Sequence, residues 1–463
     1  MTIAEDAEFA PPLAMPPRPA RRLSSLQLIK VALRNSVAAF DEAMFDELIL
    51  ERRFLWYRTF AVSDPEGIRR VMLDNADNYP RIPQMRRVLE PALGEGLLSA
   101  EGEVWHRHRR LMTPTMDHRS VLNDAPIVTE GALETAAILA ALPQGEPTNI
   151  SHHLGVLLTR TVARIFGDIS IEALLTAFLE SPRTRRLIDF VQMGSRFDWI
   201  YGPNVLRTRG HAFDPQVFRL IAERRREDYQ GRRDLLWRLV NARDRTTGES
   251  LSDQEVRDEA VTLAFGGVDT TMRGFSWVWY LLAMHPWAEA RVHAELDTVL
   301  GGRVATADDL PKLVFLRKVI DESLRLYPAI PVMLRVAAAD DEVCGHHIPR
   351  GSIISVAPWV VHRHRKLWDD PDRFDPERFS PENATSRHRY AYIPFALGPH
   401  ICIGASLAIM EMLLIAAVLA QRFRFCLAPG YPIEAVGGFL TLRVNGGLQV
   451  IVEPRTDGPP AAG

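Results

Sequence analysis

The chain has 463 residues, 47% of them hydrophobic, with a formal net charge of −3. That content supplies a sizeable core, and the near-neutral balance gives no argument for nucleic acid or an anionic membrane as a bulk partner. Three cysteines, Cys344, Cys402 and Cys426, are odd in number and far apart, which excludes a disulfide framework and fits a reducing cytoplasm.

The first residues lack the basic and apolar regions of a signal peptide. Residues 1–22, proline-rich from Pro11 to Pro19, are expected to form a flexible or extended arm. Residues 23–463 then form one large domain with no membrane anchor. Asp64 and Pro65 open a capped helix. Helical periodicity recurs near 102–112, 126–142, 149–166, 215–240 and 253–284, so the first two-thirds beyond the arm read as mainly helical. Past Pro331 the texture changes. Residues 343–356 read as strand, turn, strand, and short strands follow at Thr441–Val444 and Leu448–Val452. Between them, Ile401 to Ala420 carries one charge, Glu411, and nearly meets the length of a membrane span. It reads better as a core helix buried on all sides and closed by Gln421 and Arg422. The fold class expected is mainly α with small β-sheets.

The most informative stretch precedes that helix. Phe395, Gly398, His400, Cys402 and Gly404 form the pattern F-x-x-G-x-H-x-C-x-G. A thiolate beside a helix N-terminus has its pKa lowered below roughly 8.5. Gly398 and Gly404 allow a sharp turn and a close approach to a flat, bulky partner. His400 can bond a carboxylate on that partner. A lone cysteine in an apolar segment is usually a small buried hydrophobe. Taken whole, however, the pattern describes a single axial thiolate for a haem iron. It resembles the haem-binding loop of the cytochrome P-450 family, the haem-thiolate monooxygenases. Many members have arginine where this chain has His400, and soluble bacterial members often have histidine. The resemblance runs from about residue 60 to Arg455 and implies the fold of that family.

Two adjacent glycines, Gly266 and Gly267, sit inside the helical pattern of 253–284 at a cost of about 1 kcal/mol each relative to alanine. The hydroxyl of Thr270 can bond a backbone carbonyl there and open a polar notch suited to dioxygen or water. Asp269 can relay protons to it. In the resembled family this is the oxygen-activation motif, and Gly266, Gly267, Asp269 and Thr270 occupy its positions. Glu322 and Arg325 are an i,i+3 pair. The resemblance brings Arg378 against them as a buried triad that supports the haem-binding loop. Trp105 and Arg109 match W-x-x-x-R, share a helix face, and with His400 and Arg335 are the expected haem propionate partners. Arg107 and Arg110 read as a solvated basic face, or as a dock for an acidic electron donor. The sets Cys344/His346/His347, His106/His108 and His362/His364 have poor spacing for a metal.

The resemblance implies haem b and the insertion of one oxygen atom of dioxygen into an apolar small molecule, by hydroxylation or epoxidation. Electrons are expected from a separate ferredoxin or flavodoxin with its NAD(P)H reductase, because the chain has no four-cysteine cluster set and no segment left over for a reductase. By family position, substrate should meet Pro80–Leu98, residues 170–205, Ala264–Thr271, Pro328–Leu334 and the turn at Gly437–Leu440. Ile82, Met85, Leu89, Val332, Met333 and Phe439 favour an apolar ligand, while Arg81, Arg86 and Arg87 hint at an acid group on it. The rival readings are a peroxide-driven or isomerase-type relative, a haem sensor, and an electron carrier. The Asp269–Thr270 pair argues against the first, the lack of a signalling domain against the second, and the oxygen notch against the third. A monomer is expected.

Overall fold

The computed structural model describes residues 12–167, 169, 214–438 and 440–456. Apolar periodicity folds as twelve principal helices among these. The first six are α1 (Ser25–Arg34), α2 (Pro65–Arg69), α3 (Pro83–Leu93), α4 (Gly102–Met112), α5 (Ala125–Ala140) and α6 (Ile150–Ile165). There follow α7 (Asp214–Arg224), α8 (Leu235–Val240), α9 (Asp253–Met284), α10 (Pro286–Leu300), α11 (Val314–Leu326) and α12 (Ala405–Ala420). Helix α9 starts with a complete capping box, Ser252 with Glu255, and packs on α6, α7, α8 and α11. Helix α12 is buried almost throughout and lies against α5, α9 and α11. It begins at Ala405, four residues later than the apolar run. Among the described residues, no helix is long and apolar enough to cross a membrane.

Small sheets flank the helices. Strands β1 (Ile49–Phe54), β2 (Tyr57–Val62), β7 (Ile353–Val356) and β4 (Met333–Val336) form one sheet in that order, with β2–β7 parallel and the other pairs antiparallel. Strands β3 (Pro147–Asn149), β11 (Gln449–Pro454) and β8 (Phe423–Leu427) form a second, antiparallel sheet. Two hairpins complete the set, β5 (Asp341–Val343) with β6 (His346–Ile348) and β9 (Ala435–Gly437) with β10 (Leu442–Val444).

Three features depart from the sequence reading. The β1–β2 hairpin stands in the region expected to be mainly helical. Its turn is made by Leu55, with φ of 54°, and Trp56, so it carries none of the usual glycine or asparagine signal. The pattern expected as one helix over 215–240 is broken between α7 and α8. Asp234 causes the break: its carboxylate caps the Trp237 N–H at 2.8 Å and binds buried Arg224 at 2.8 Å, so the chain must double back. Finally, residues 12–22 are fastened rather than loose. Ala14 donates its N–H to the Tyr280 hydroxyl at 2.9 Å, and Arg18 pairs with Asp372 at 2.7 Å.

A buried polar knot ties α11 to the loops ahead of Cys402. Glu322 and Arg325 are both fully buried. Arg325 donates bidentately, Nε to Glu322 Oε2 at 2.6 Å and Nη2 to Oε1 at 2.7 Å. Its remaining donors reach the carbonyls of His362, Pro371 and Arg373 at 2.7–2.9 Å. His362 in turn accepts the Ile393 N–H at 2.9 Å. Burial first, then the cation of Arg325, holds the His362 imidazole neutral with a pKa lowered to about 3. Arg378 joins more loosely: its Nε lies 3.5 Å from Glu322 without a hydrogen bond, while Nη2 donates to the Asp370 carbonyl.

Replacing Arg325 with Leu strands a buried carboxylate and several carbonyls. We expect a loss of about 3–5 kcal/mol in denaturant unfolding, against a smaller loss for Arg378→Leu. Glu411 offers a pH test. Both its oxygens are buried without partners, and burial, with Asp124 adding to it, pushes its pKa from 4.5 to about 8. The folded chain keeps this proton where the unfolded chain has released it, so stability falls as pH rises from about 4.5 to about 8. Glu411→Met should remove that slope and raise stability by about 1–3 kcal/mol at the alkaline end, read from unfolding curves across pH.

Candidate active site

Three backbone bonds shape the Cys402 loop. Ala396 N–H donates to the Ile393 carbonyl at 3.2 Å, Ile401 N–H to Gly398 at 3.1 Å, and Cys402 N–H to Phe395 at 2.8 Å. The closure puts Ala396 and Gly398 in the left-handed region, with φ of 61° and 69°. A Cβ on Gly398 would also collide with the Met72 carbonyl oxygen. The turn at Gly398 is therefore as expected from sequence, and Met72 backbone packs where its side chain would project. Gly404 has an ordinary φ of −89°, and a Cβ there would sit 4.0 Å from Cys402 Sγ. Its backbone N–H favours the thiolate form of that sulfur. Phe395 packs half-buried against the helical core.

Cys402 has a large accessible surface, yet protein crowds around it enough for burial to push the thiol pKa up. A sulfur that lines an internal hollow satisfies both observations. The Gly404 N–H and the Arg109 guanidinium pull the other way and are outweighed. The expectation that a helix end lowers this pKa is corrected accordingly: α12 starts three residues beyond the sulfur, and desolvation exceeds its dipole. A metal cation at the sulfur reverses the balance, because a coordinating thiol is deprotonated outright.

One edge of the site is electropositive. Trp105 and His400 are in ring contact, with centroids 4.0 Å apart and planes tilted by 34°. Arg109 lies one turn beyond Trp105 on α4, and Arg335 on β4 bridges Arg81 in an isolated antiparallel pair. Burial lowers the Arg335 pKa to about 10, with Arg81 beside it adding to the effect. Burial, then Arg81, Arg335 and Arg109, drives the His400 imidazole down to about 3. Among the described residues, neither Arg109 nor Arg335 has a carboxylate within ion-pair distance; Arg81 alone is paired, with Glu101. Crowded guanidiniums without acids are costly unless an anion joins them. A soft sulfur in a hollow rimmed by surplus cations fits an iron porphyrin, whose two propionates supply the missing charge.

Helix α4 is held in place by a buried histidine that the sequence reading treated as bland. His108 Nδ1 lies 2.8 Å from Glu259 and Nε2 3.2 Å from Glu255, both on α9. Burial pulls the imidazole pKa down, but the two carboxylates outweigh it and raise it. Arg107 and Arg110 are not the open basic face that the docking idea requires. Arg107 is paired with Glu255 and Glu249, and Arg110 with Asp244.

On α9, Thr270 Oγ1 donates to the Gly266 carbonyl at 2.6 Å. The space where a Gly266 side chain would project is empty to 4 Å, and Gly267 meets Val162 only at 3.7 Å. The Thr270 bond and the open space beside Gly266 are as expected, while α9 runs unbroken through both. Asp269 is anchored at both oxygens, by Arg273 Nε at 2.7 Å and by the Thr441 hydroxyl at 2.9 Å. The sequence reading named neither partner. An arginine four residues on is a common helical spacing, but Thr441 comes from β9–β10 and no local pattern announces it.

A cavity of about 240 Å³ lies beside the Arg81 loop, lined by Ile82, Pro83, Met85, Leu98 and Val336 with Arg81, Arg86 and Glu101. Arg81 is fully engaged: it donates to the carbonyls of Leu97, Leu98 and Ala100 and to Glu101. Arg86 pairs with Glu90 and Glu95. These two arginines thus hold their own loop, and the hint of an acid group on the ligand loses its basis at both. The expected contacts in 170–205 and at Phe439 lie outside the described residues.

Comparison with known proteins agrees with this geometry. The family model "Cytochrome P450" matches residues 16–436. The chain is 33% identical over 408 residues to cyclooctat-9-en-7-ol 5-monooxygenase of Streptomyces melanosporofaciens, covering 86% of each chain. It is 33% identical over 402 residues to cytochrome P450 4B1 of Homo sapiens, covering 81% of this chain and 78% of that one. The fold superposes on the crystal structure of the cytochrome P450DA heme domain with a TM-score of 0.80 at 23% identity, over 96% of this chain and 98% of that one. A family match of this extent, on a chain with an isolated thiol beside surplus cations, leads to one conclusion: the chain belongs to the cytochrome P450 family and is a haem b monooxygenase.

Proposed function

We propose that this enzyme inserts one oxygen atom of dioxygen into a neutral, apolar small molecule, with Cys402 Sγ as the one protein ligand of the haem iron. The observation that carries the reading is the Cys402 thiol itself, solvent-accessible although protein crowds around it, with the Gly404 N–H and Arg109 both favouring its thiolate. Haem b supplies, when bound, the iron at which dioxygen is activated.

The chain's own residues orient and supply that chemistry. Trp105, Arg109, Arg335 and His400 receive the two propionates, which relieves the charge crowding around them. Phe395 and Gly398 fix the loop so that the sulfur has one position, and the Gly404 N–H favours its thiolate. Gly266 and Gly267 leave room in α9 for a small diatomic molecule or water. Thr270 donates its O–H to the Gly266 carbonyl, which leaves the lone pairs of Oγ1 free to accept a hydrogen bond. Asp269 holds a carboxylate one residue away and serves as the proton relay. Of its two ties, the one to the Thr441 hydroxyl is neutral and the one to Arg273 is charge-assisted, so the Thr441 bond is the one released when a proton moves. Glu322, Arg325 and Arg378 act at a distance, by holding the loops that lead to Cys402.

An apolar, uncharged substrate is supported by the Ile82, Met85, Leu98 and Val336 lining and by the internal engagement of Arg81 and Arg86. The Streptomyces relative is named as a monooxygenase of cyclooctat-9-en-7-ol, a compound of that kind. Hydroxylation or epoxidation are the two outcomes such a pocket allows. Electrons come from a separate ferredoxin or flavodoxin with its NAD(P)H reductase, since one haem-ligating cysteine leaves only Cys344 and Cys426, too few for a cluster of the chain's own. We place the enzyme in the cytoplasm, as a monomer.

Two experiments test the reading. Carbon monoxide added to the reduced holoprotein should give the red-displaced Soret band of thiolate ligation, and Cys402→Ser should lose that band while retaining the far-UV helical signal. A wild-type protein that holds haem without the band would overturn the assignment of Cys402. For the relay, Thr270→Ala should lower product formation by about 10²-fold or more while reductant consumption continues, with Thr270→Ser close to the wild type.

A further inference from the structure

The segment between α3 and α4, residues 94–101, belongs to no helix or strand, and through Leu98 it forms one wall of the cavity. Two clamps hold it from opposite sides. Arg81 takes one side, donating to the carbonyls of Leu97, Leu98 and Ala100. Helix α9 takes the other. Asp258 accepts the Glu95 N–H at 2.9 Å, and Glu259 accepts the Leu97 N–H at 3.2 Å. The approach to α9 leaves no room for side chains. A Cβ on Gly94 would overlap the Asp258 carboxylate, and one on Gly96 the Thr262 hydroxyl.

The two acids of the α9 clamp are held differently. Asp258 pairs at 3.0 Å with Arg257, a permanent cation. Glu259 is fully buried and pairs with His108, whose charge depends on pH. His108 has a carboxylate at each ring nitrogen, Glu259 at 2.8 Å from Nδ1 and Glu255 at 3.2 Å from Nε2. A neutral imidazole carries one N–H and one lone pair, so it would turn the lone pair on one of these acids. The imidazolium donates to both. Burial opposes the charge, but Glu259 and Glu255 outweigh it and hold the pKa above its ordinary 6.5. The other charges around this point are accounted for. Asp258 disfavours a second anion at Glu259, Arg107 pairs with Glu255, and Glu95 of the turn pairs with Arg86.

We propose that His108, as imidazolium, is a positioning residue for the ligand cavity: through Glu259 it fixes the Leu97 N–H and with it the Leu98 wall, so that ligand binding is linked to one proton on His108. When that proton leaves, Glu259 loses its cation inside a buried site. The carboxyl then turns toward water or takes up a proton itself, and in both cases its grip on the Leu97 N–H weakens. Arg81 does not substitute, because its bonds in the turn are to carbonyls. The clamp is complete below about pH 6.5 and weakens as pH rises through the raised value. The linkage is reciprocal, so a ligand packed on the Leu98 wall favours the protonated ring. The ligand half of this inference rests on the haem-pocket reading above, and the clamp half does not.

The test follows the haem-loaded protein from about pH 7 to about pH 9.5, where phenylimidazole, an apolar ligand for the iron, is itself neutral. Hydrogen exchange at the Leu97 amide, corrected for its intrinsic pH dependence, reads the clamp. The Soret shift on titration with phenylimidazole reads the cavity. In the wild type, protection and affinity should fall together as pH rises, each by about fivefold or more. His108→Gln should give the weaker values at every pH, while His108→Lys, which restores a cation, should keep the tighter values with a flat profile. A wild-type profile without that fall would overturn the proposal, as would a His108→Gln variant that binds as tightly as the wild type or keeps its pH dependence. The carbon monoxide band reports the sulfur–iron bond separately. Its loss in the wild type would count against the haem reading, and the amide exchange would still decide the clamp.

Discussion

The bidentate bond between Arg325 and Glu322 is the constraint on which the site rests. Both groups are wholly buried, and neither would be tolerated there alone. Their value lies in what the spare donors and acceptors do. Arg325 gathers three carbonyls from the 362–373 loop, Glu322 takes the Asp375 N–H at 2.8 Å, and His362 passes the connection to Ile393. Two residues later begins the turn that carries the sulfur. A loop of irregular backbone has no ladder of its own, so its accuracy is borrowed from this knot through consecutive hydrogen bonds.

The complementary constraint is electrical. A protein alone rarely gathers Arg81, Arg109, Arg335 and His400 around one hollow with a single glutamate among them. Under the proposed haem binding, propionates at the rim and iron at the sulfur would together offset this imbalance. The chain prepares a charge imbalance and a high thiol pKa, and the bound group cancels both.

Much of the site could be read from sequence because it is local. The cysteine loop, the Gly266–Thr270 notch and the Trp105–Arg109 pair each lie within one turn or one helix. Spacing alone therefore brings their members together. Helices α4 and α9 have the bounds that periodicity indicated, since each has a clear start and an unbroken apolar face. What escaped was non-local or unsignalled. The β1–β2 turn uses Leu55 and Trp56, residues with no turn preference. The gap between α7 and α8 holds Asp228, Gly231 and Asp234, all poor helix formers, and is fixed by the bond between Arg224 and Asp234. Arg81 looked like a ligand for substrate because its true acceptors are backbone carbonyls, which every sequence has and none advertises. The two partners of Asp269 divide in the same way, Arg273 within reach of inspection and Thr441 not.

That last contact has an evolutionary consequence. Asp269 is tethered to a residue 172 positions downstream, in the turn of the β9–β10 hairpin. This hairpin begins next to Ala329, whose carbonyl accepts the Leu442 N–H at 2.9 Å, and so belongs to the wall expected to meet the ligand. Selection for a new compound would naturally reshape that wall. Each such change also shifts the geometry around Asp269, so breadth of ligand choice and thrift with reducing equivalents cannot drift apart in descendants of this enzyme.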